Sequence, residues 1–452
     1  MEFIISLLSF ILVLGILVTI HEFGHFWVAR RCGVKVLRFS VGFGKPLFKF
    51  YRKNDPTEYV IAGIPLGGYV KMLDENEAPV DDAEKSQAFN NKPLFSKFLI
   101  VSAGPVFNLL FAVFAFWLIL VIGEDGLRPV VGHMDNNGLA AHSTLEVADQ
   151  IVEVNGRPAP IWRVAAGLMT SEMLDKGRLD ITVVKPGGQR NTVLLAFEAG
   201  EQPEASDVMR RIGISPRMPV LPAVIGDIVR GEAGEMSGLQ SGDLIVSVNQ
   251  QAINSWLDWV KVTRSMPNKV MSVLLVRDGE TVHLTVRPKR VMEGGGAIGR
   301  IGVSPYFGDD LQADFYTDYQ LGWGDAWLEA ARQTFSYSIL TVKLIGRMLV
   351  GEASLQNLSG PISIAQYAGK TASIGLIAFL KFLAFVSVSL GVMNLLPIPM
   401  LDGGHLMFYL IEAIKGKPVS EKVQAGFMRI GMVALLCLMV TAVFVDIGRL
   451  IG

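Results

Sequence analysis

His21, Glu22 and His25 stand in the order H-E-F-G-H at the end of an apolar run, Phe3 to Ile20. On an α-helix, residues four apart project from one face, so both imidazoles can reach one metal ion while Glu22 flanks it as a base. The chemistry this spacing offers is metal-assisted hydrolysis, in which the ion polarises a carbonyl and acidifies water while the carboxylate carries the proton. Ionisable groups at membrane depth are costly and commonly mark function. The plainer use of the same residues is a pair of interfacial histidines that snorkel or cap the helix.

A catalytic zinc site takes three protein ligands and keeps one position for water, so a third ligand is needed. The best candidate is Asp402, in the segment Asn394-Leu395-Leu396-Pro397-Ile398-Pro399-Met400-Leu401-Asp402-Gly403-Gly404-His405. Its prolines and paired glycines break a helix. His405 competes as a ligand; hydrogen bonding to the site or exposure to solvent are its other uses.

These residues need elements to position them, and the composition indicates which. Apolar residues make up 50% of the 452 and charged residues 18%, below the roughly 25% usual in soluble chains. Four segments approach the length of a membrane span: Phe3 to Val28, Phe98 to Ile122, Ile374 to Leu396 and Phe427 to Ile447. The first lacks the basic start of a signal peptide, having Glu2 instead, and Arg30-Arg31 follow it, so it reads as a retained anchor with its N-terminus outside. Arg30, Arg31, Lys35, Arg38, Lys45 and Lys49 follow span one, and Lys85, Lys92 and Lys97 precede span two, which places that loop on the cytoplasmic side. Spans one and three then both run inward, and His21, His25 and Asp402 reach the same side of the bilayer. A net charge of −1 gives no sign of nucleic-acid binding. The two cysteines, Cys32 and Cys437, imply no disulfide framework.

H-E-F-G-H near the N-terminus, joined to N-x-x-P-x-P-x-L-D-G in a later span, resembles the site-2 protease family of intramembrane zinc metalloproteases, over essentially the whole chain. The two signatures are specific together, although H-E-x-x-H alone is not. The resemblance implies Zn2+ bound by His21, His25 and Asp402, with Glu22 catalytic. It also implies that Asn394 positions substrate or stabilises the transition state near the metal. It further implies a bacterial inner membrane location with the active site near the cytoplasmic side, and both termini outside. The implied substrates are single-span membrane proteins, such as an anti-sigma factor already trimmed outside, and remnant signal peptides; membrane lipids are the other partner.

A transmembrane substrate has its peptide groups locked in helical hydrogen bonds, and freeing them in hydrocarbon costs several kcal/mol each. The loop after span one offers replacement partners. Glu58-Tyr59-Val60-Ile61 and Gly67-Gly68-Tyr69-Val70-Lys71 read as strands, with Gly42-Phe43-Gly44 as a turn between Phe39 and Phe48. An exposed strand edge there could take the unwound substrate by β-addition, and the family resemblance implies such a membrane-associated sheet. Gly67, Gly68, Tyr69, Val70, Gly42, Phe43 and Gly44 are therefore the expected substrate-binding residues; a plain solvated hairpin is the alternative.

The central region contains an internal repeat. Asp149-Gln150-Ile151-Val152-Glu153-Val154-Asn155 recurs as Asp243-Leu244-Ile245-Val246-Ser247-Val248-Asn249, and Trp162 is matched by Trp256. Ile212-Gly213-Ile214-Ser215-Pro216 recurs as Ile301-Gly302-Val303-Ser304-Pro305, so each unit is about 90 residues with the alternation of strands. Gly238-Leu239-Gln240-Ser241-Gly242-Asp243 resembles the G-L-x-x-G-D signature of PDZ domains; the first copy lacks the glycines and matches through the repeat. Such folds capture chain ends by strand addition, and a passive gate against bulky external domains is the other use.

The expected fold is a polytopic α-helical membrane protein with four transmembrane helices, a small membrane-associated β-sheet and two external PDZ-like α/β domains. The expected divisions are transmembrane helix 1 (1–30), the cytoplasmic β region (31–97), transmembrane helix 2 (98–124) and PDZ-like domains at 125–217 and 218–308. Amphipathic linker helices (309–373), transmembrane helix 3 (374–402), a cytoplasmic loop (403–426) and transmembrane helix 4 (427–448) follow. Within the linker, Asp325 to Val350 reads as an interfacial helix and Asn357-Leu358-Ser359-Gly360-Pro361 as a break. Two other functions stay open on the residues alone: a zinc transporter, and a membrane-anchored PDZ scaffold.

Overall fold

Apolar side chains with no proline among them carry one unbroken helix, α1, from Glu2 to Arg31. The computed structural model describes residues 2–53, 55–197, 205–293, 296–306, 308, 314–350 and 360–451. Arg30 and Arg31 lie in the last turn of α1, where cations oppose the helix dipole, and Gly33 (φ 70°) turns the chain away. Strands β1 (Val36–Tyr51) and β2 (Glu58–Met72) follow, then helix α2 (Leu94–Ile122).

Both strands are longer than the sequence suggests because each folds back on the other. Residues 36–41 of β1 pair with 68–72 of β2 on one side and with 58–61 on the other, while 46–51 pair with 58–62. The bends fall at Gly42 (φ 93°), Gly44 (φ 86°) and Gly67 (φ 135°), where a side chain is disfavoured. The result is a layered sheet whose outer edges are 46–51 and 68–72. Exposed Leu47, Phe48, Phe50 and Tyr51 line the first of these edges.

The next strands and helices build one compact unit, Glu124–Tyr319. Its first half contains β3 (Glu124–Leu127), β4 (Val131–Met134), β5 (Gln150–Val154), β6 (Arg157–Pro158), α3 (Trp162–Lys176), β7 (Arg178–Val184), β8 (Arg190–Ala196), α4 (Ala205–Ile212) and β9 (Ile214–Pro216). Its second half contains β10 (Ile225–Ile228), α5 (Ala233–Met236), β11 (Leu244–Val248), β12 (Gln251–Ala252), α6 (Trp256–Arg264), β13 (Met271–Arg277), β14 (Glu280–Val286), β15 (Lys289–Glu293), β16 (Gly296–Arg300), β17 (Val303–Pro305) and β18 (Tyr316–Tyr319). The halves repeat each other. Sheet order β6-β5-β7-β8 is matched by β12-β11-β13-β14, and β4-β9 by β10-β17. Even the irregularity recurs: β5 bulges between Ile151 and Glu153 against β7, and β11 between Ile245 and Ser247 against β13. Asn155 and Asn249 both adopt left-handed φ and accept a backbone N–H, from Asp180 and Ser272 respectively. Each half has its own buried core, around Ile151, Met169 and Ile181 in one and Ile245, Trp259 and Val273 in the other.

Among the described residues, the other unit is completed by α7 (Trp323–Leu349), α8 (Pro361–Ile374), α9 (Leu376–Leu395), α10 (Asp402–Lys415) and α11 (Glu421–Ile451). Among the described residues, four helices are long and apolar enough to cross a membrane: Ile4–Arg31, Leu94–Ile122, Leu376–Leu395 and Lys422–Gly448. Helix α7 covers the expected interfacial segment and packs its Tyr337 on Phe116 of α2 and Phe385 of α9. In the expected break, 357–359 lie outside the described residues, and Gly360-Pro361 open α8 with proline at its first position. Buried Asp446 of α11 caps that helix, accepting the backbone N–H groups of Gly360, Ile362 and Ser363 and the Ser363 hydroxyl.

Two sequence expectations differ here. Span three stops at Leu395 rather than 402, and 402–415 is helical rather than loop. The Gly403-Gly404 pair, read as a break, instead sits in the first turn of α10. A Cβ on either would strike the backbone of Leu396 or Ile398, so the glycines permit close packing of the preceding loop.

Candidate metal centre

Three side chains from two distant segments meet at the crossing of α1, α2 and the start of α10. His21 Nε2 lies 3.1 Å and His25 Nε2 3.5 Å from Oδ2 of Asp402. The two imidazole Nε2 atoms are 3.2 Å apart, and one ligand atom from each of the three residues falls within 4.8 Å of the others. The sequence places this cluster together by two rules. Four-residue spacing stacks the histidines on one face of α1, and the proline-rich turn after α9 returns the chain so that Asp402 begins α10. Met400 adopts φ 73° in that turn, a left-handed conformation costly for a non-glycine residue.

The donor set fits a zinc ion. Oδ2 of Asp402 is buried and has no hydrogen-bond partner although two imidazoles face it; such an acceptor is expensive unless a cation completes it. His25 donates Nδ1–H to the Ile100 carbonyl at 2.8 Å, which leaves its Nε2 lone pair pointing inward. Two imidazole nitrogens and one carboxylate oxygen, three ligands rather than four, are the composition of a catalytic rather than a structural zinc site. His405, one turn into α10, does not join the three ligand atoms among the described residues.

Glu22 is half-buried beside the cluster, and the β-sheet reaches it. A Cβ on Gly68 would stand 2.9 Å from Cγ of Glu22 and 2.7 Å from the Ser40 carbonyl, so glycine lets edge strand 68–72 run against the helix. Of the other expected substrate-binding residues, Phe43 and Tyr69 stack with ring centroids 6.2 Å apart, and a Cβ on Gly67 would collide with the Phe43 ring. Gly42 approaches the carbonyls of Ala62 and Ile64 within the sheet, and Gly44 lies next to Ile64. Val70 turns inward, against the cluster of Phe26, Ala29 and Ile100. Asn394 is buried in the last turn of α9, eight residues before Asp402.

One residue at the centre had escaped the motif reading. Asn108 of α2 is fully buried and its side-chain amide lies 3.1 Å from His21 Nδ1. The available signal was a lone amide within the apolar segment 98–122, a residue type that apolar spans rarely carry without a partner.

A model of peptidase family M50 matches residues 9–438. The chain belongs to peptidase family M50. It is therefore a metalloendopeptidase, in agreement with the two sequence signatures. Across its full length, this M50 peptidase is 44% identical to the regulator of sigma-E protease RseP of Escherichia coli, covering 100% of both chains. It is 42% identical to protease RseP of Yersinia pestis, again over 100% of each. A putative zinc metalloprotease of Vibrio cholerae is 41% identical over 98% of this chain and 99% of its own.

Proposed function

We propose that this M50 peptidase hydrolyses peptide bonds within the membrane-spanning segments of single-span proteins, using zinc held by His21, His25 and Asp402. The observation that carries this reading is the buried, unpartnered Oδ2 of Asp402 facing two imidazoles at the end of an apolar helix. Zinc bound there supplies a Lewis acid that polarises the scissile carbonyl and makes water acidic enough to attack at neutral pH. Glu22 takes the proton of the attacking water and delivers it to the leaving amine. Asn394 donates its amide to substrate backbone or to the developing oxyanion, a contact worth ~2.7 to 4 kcal/mol where such donors have been removed. Strand 68–72, paired on one side and lying against Glu22, supplies backbone partners for a substrate that must unwind to be cut.

The resemblance to sigma-E regulating proteases supports a bacterial inner-membrane enzyme that cleaves an anti-sigma factor already trimmed outside, and remnant signal peptides. The basic flanks of α1 and α2 support a cytoplasmic-side active site, with both termini and unit 124–319 outside. The two PDZ-like halves of that unit act as a gate against substrates with bulky external domains. A cavity of about 490 Å³ between α6 and β17, lined by Trp259, Thr263 and Val303, suits a weakly held extended segment.

Glu22→Gln tests the core of the reading. Cleavage of a single-span substrate in proteoliposomes should fall by about 100- to 10,000-fold, while zinc content stays at wild-type level. Proteolysis surviving that change sinks the mechanism, and zinc flux across the vesicles would favour transport instead. For the gate, substitutions in both grooves should leave the discrimination between full-length and trimmed substrates intact; its loss would mean peptide recognition.

A further inference from the structure

We infer that Asn108 is a positioning residue for His21: its side-chain amide holds the Nδ1 edge of that ring so that Nε2 faces His25 and Asp402. The inference rests on the zinc reading above. Helices α1 and α2 cross here with matched spacing. His21 and His25 are four residues apart on one helix, and Ile100, Gly104 and Asn108 are four apart on the other, so each set forms one stripe. The Ile100 carbonyl meets Nδ1 of His25 at 2.8 Å, and the Asn108 amide meets Nδ1 of His21 at 3.1 Å. Between them, Gly104 leaves room for both rings; a Cβ there would overlap Nε2 of His25 and stand 2.8 Å from Cε1 of His21.

A neutral imidazole carries one N–H. A ring that offers Nε2 to a metal keeps its proton on Nδ1, and that proton needs an acceptor. For His25 the acceptor is a backbone carbonyl. For His21 the Asn108 side chain is the group in place among the described residues, and its Oδ1 is buried with no hydrogen-bond partner there. Half a turn of the amide about χ2 exchanges oxygen for nitrogen in nearly the same volume. Oδ1 then accepts the Nδ1 proton, and both histidines present a lone pair inward. The Asn108 backbone is anchored independently, since its carbonyl accepts the Ser387 hydroxyl of α9 at 2.7 Å.

Zinc affinity of the purified full-length protein, measured by competition with a chromophoric chelator, tests this. Asn108→Leu, which fills the space without an acceptor, should weaken zinc binding about 10- to 100-fold, the usual effect of losing such a partner. Asn108→Asp restores an acceptor and should stay within about threefold of wild type on that scale. Ser387→Ala, which loosens the helix contact but spares the amide, should leave affinity unchanged. The Co2+-loaded Leu variant should show altered d–d bands, and melting of the metal-free proteins reports whether each folds; if Leu does not, Asn108→Ala is expected to weaken binding in the same way. Wild-type affinity in the Leu or Ala variant overturns the inference. So does equal weakening in the Leu and Asp variants, or a Ser387→Ala loss as large as that of Leu, since the amide would then only pack. A wild-type protein that binds no zinc overturns the proposed function instead.

Discussion

Asp402 and Asp243 are both carboxylates withdrawn from water, and they end in opposite states. Asp243 is completely buried and fully used: Arg277 donates to it through Nε and Nη2, each at 2.7 Å, and the Gln240 backbone N–H adds a third bond. Asp402 keeps Oδ2 without a donor between two imidazoles. The first arrangement spends a charge on holding a loop; the second keeps an acceptor in reserve at a cost in stability, which is what a metal ligand requires. Asp149, the counterpart of Asp243 in the first half of the unit, lies between them. One oxygen takes the Glu146 amide, while Oδ1 is buried and unpartnered, because Lys185 stands where Arg277 stands and pairs with Glu146 instead. Its neighbour Ala148 has φ 74° where the second half has Gly242 at 92°.

The contrast can be broken most severely at Asp402. Asp402→Asn should abolish zinc binding and proteolysis without lowering the melting temperature of the chelator-treated protein, since an acceptor without a donor contributes no bond to lose. A lower melting temperature in the metal-free variant would show that Asp402 holds the fold as Asp243 does. Asp243→Asn should do the reverse, destabilising unit 124–319 by about 3 kcal/mol because Arg277 is left with its charge uncompensated. Asp243→Leu combined with Arg277→Met should recover much of that loss; urea unfolding followed by tryptophan fluorescence reads both. Ala148→Gly should stabilise the same unit by about 1 kcal/mol by relieving a left-handed alanine, and unchanged unfolding would mean the strain is absorbed elsewhere.

The smallest effect is expected where covered carboxylates pair with cations that are open to water. Glu58 is drawn down to about 2 by hydrogen bonds from Lys49, then Tyr51 and Arg38. Asp55 reaches about 2 as well, where desolvation opposes the shift but bonds from Thr57, Arg30 and Tyr59 outweigh it. Both groups have folded values below their unfolded ones, so their contribution is complete above about pH 4 to 5 and fades as pH falls through about 2. Hydrogen exchange in strands β1 and β2 should therefore be constant from pH 7 to 5, after correction for intrinsic rates, and rise slightly below 4. High salt should shrink the change because the cationic partners Arg30, Arg38 and Lys49 face water.

How far the sequence could be read follows from the kind of signal each element carries. His21, Glu22 and His25 share a short spacing on a helix, and the 149–155 and 243–249 segments match at all positions but 150/244 and 153/247, so both were legible. Asn108 forms no spacing with any other polar residue; its meaning comes from α1 crossing α2, which no local pattern encodes. The double pairing of β1 likewise depends on three glycine bends acting together, although the strands themselves were visible in the alternation of Glu58 to Ile61 and Gly67 to Lys71. Gly403-Gly404 carried two opposite meanings, a break or a close approach, and only the neighbouring backbone decides between them.

The cap that Asp446 places on α8 has a mechanical consequence. Its two oxygens accept four donors from the first turn of α8, and pulling the helices apart would leave a bare charge and several free amides among apolar side chains. Separation is therefore far costlier than joint displacement. Helices α8 and α11 form a rivet joint rather than a hinge, and any rearrangement that moves one must carry the other with it as a single lever.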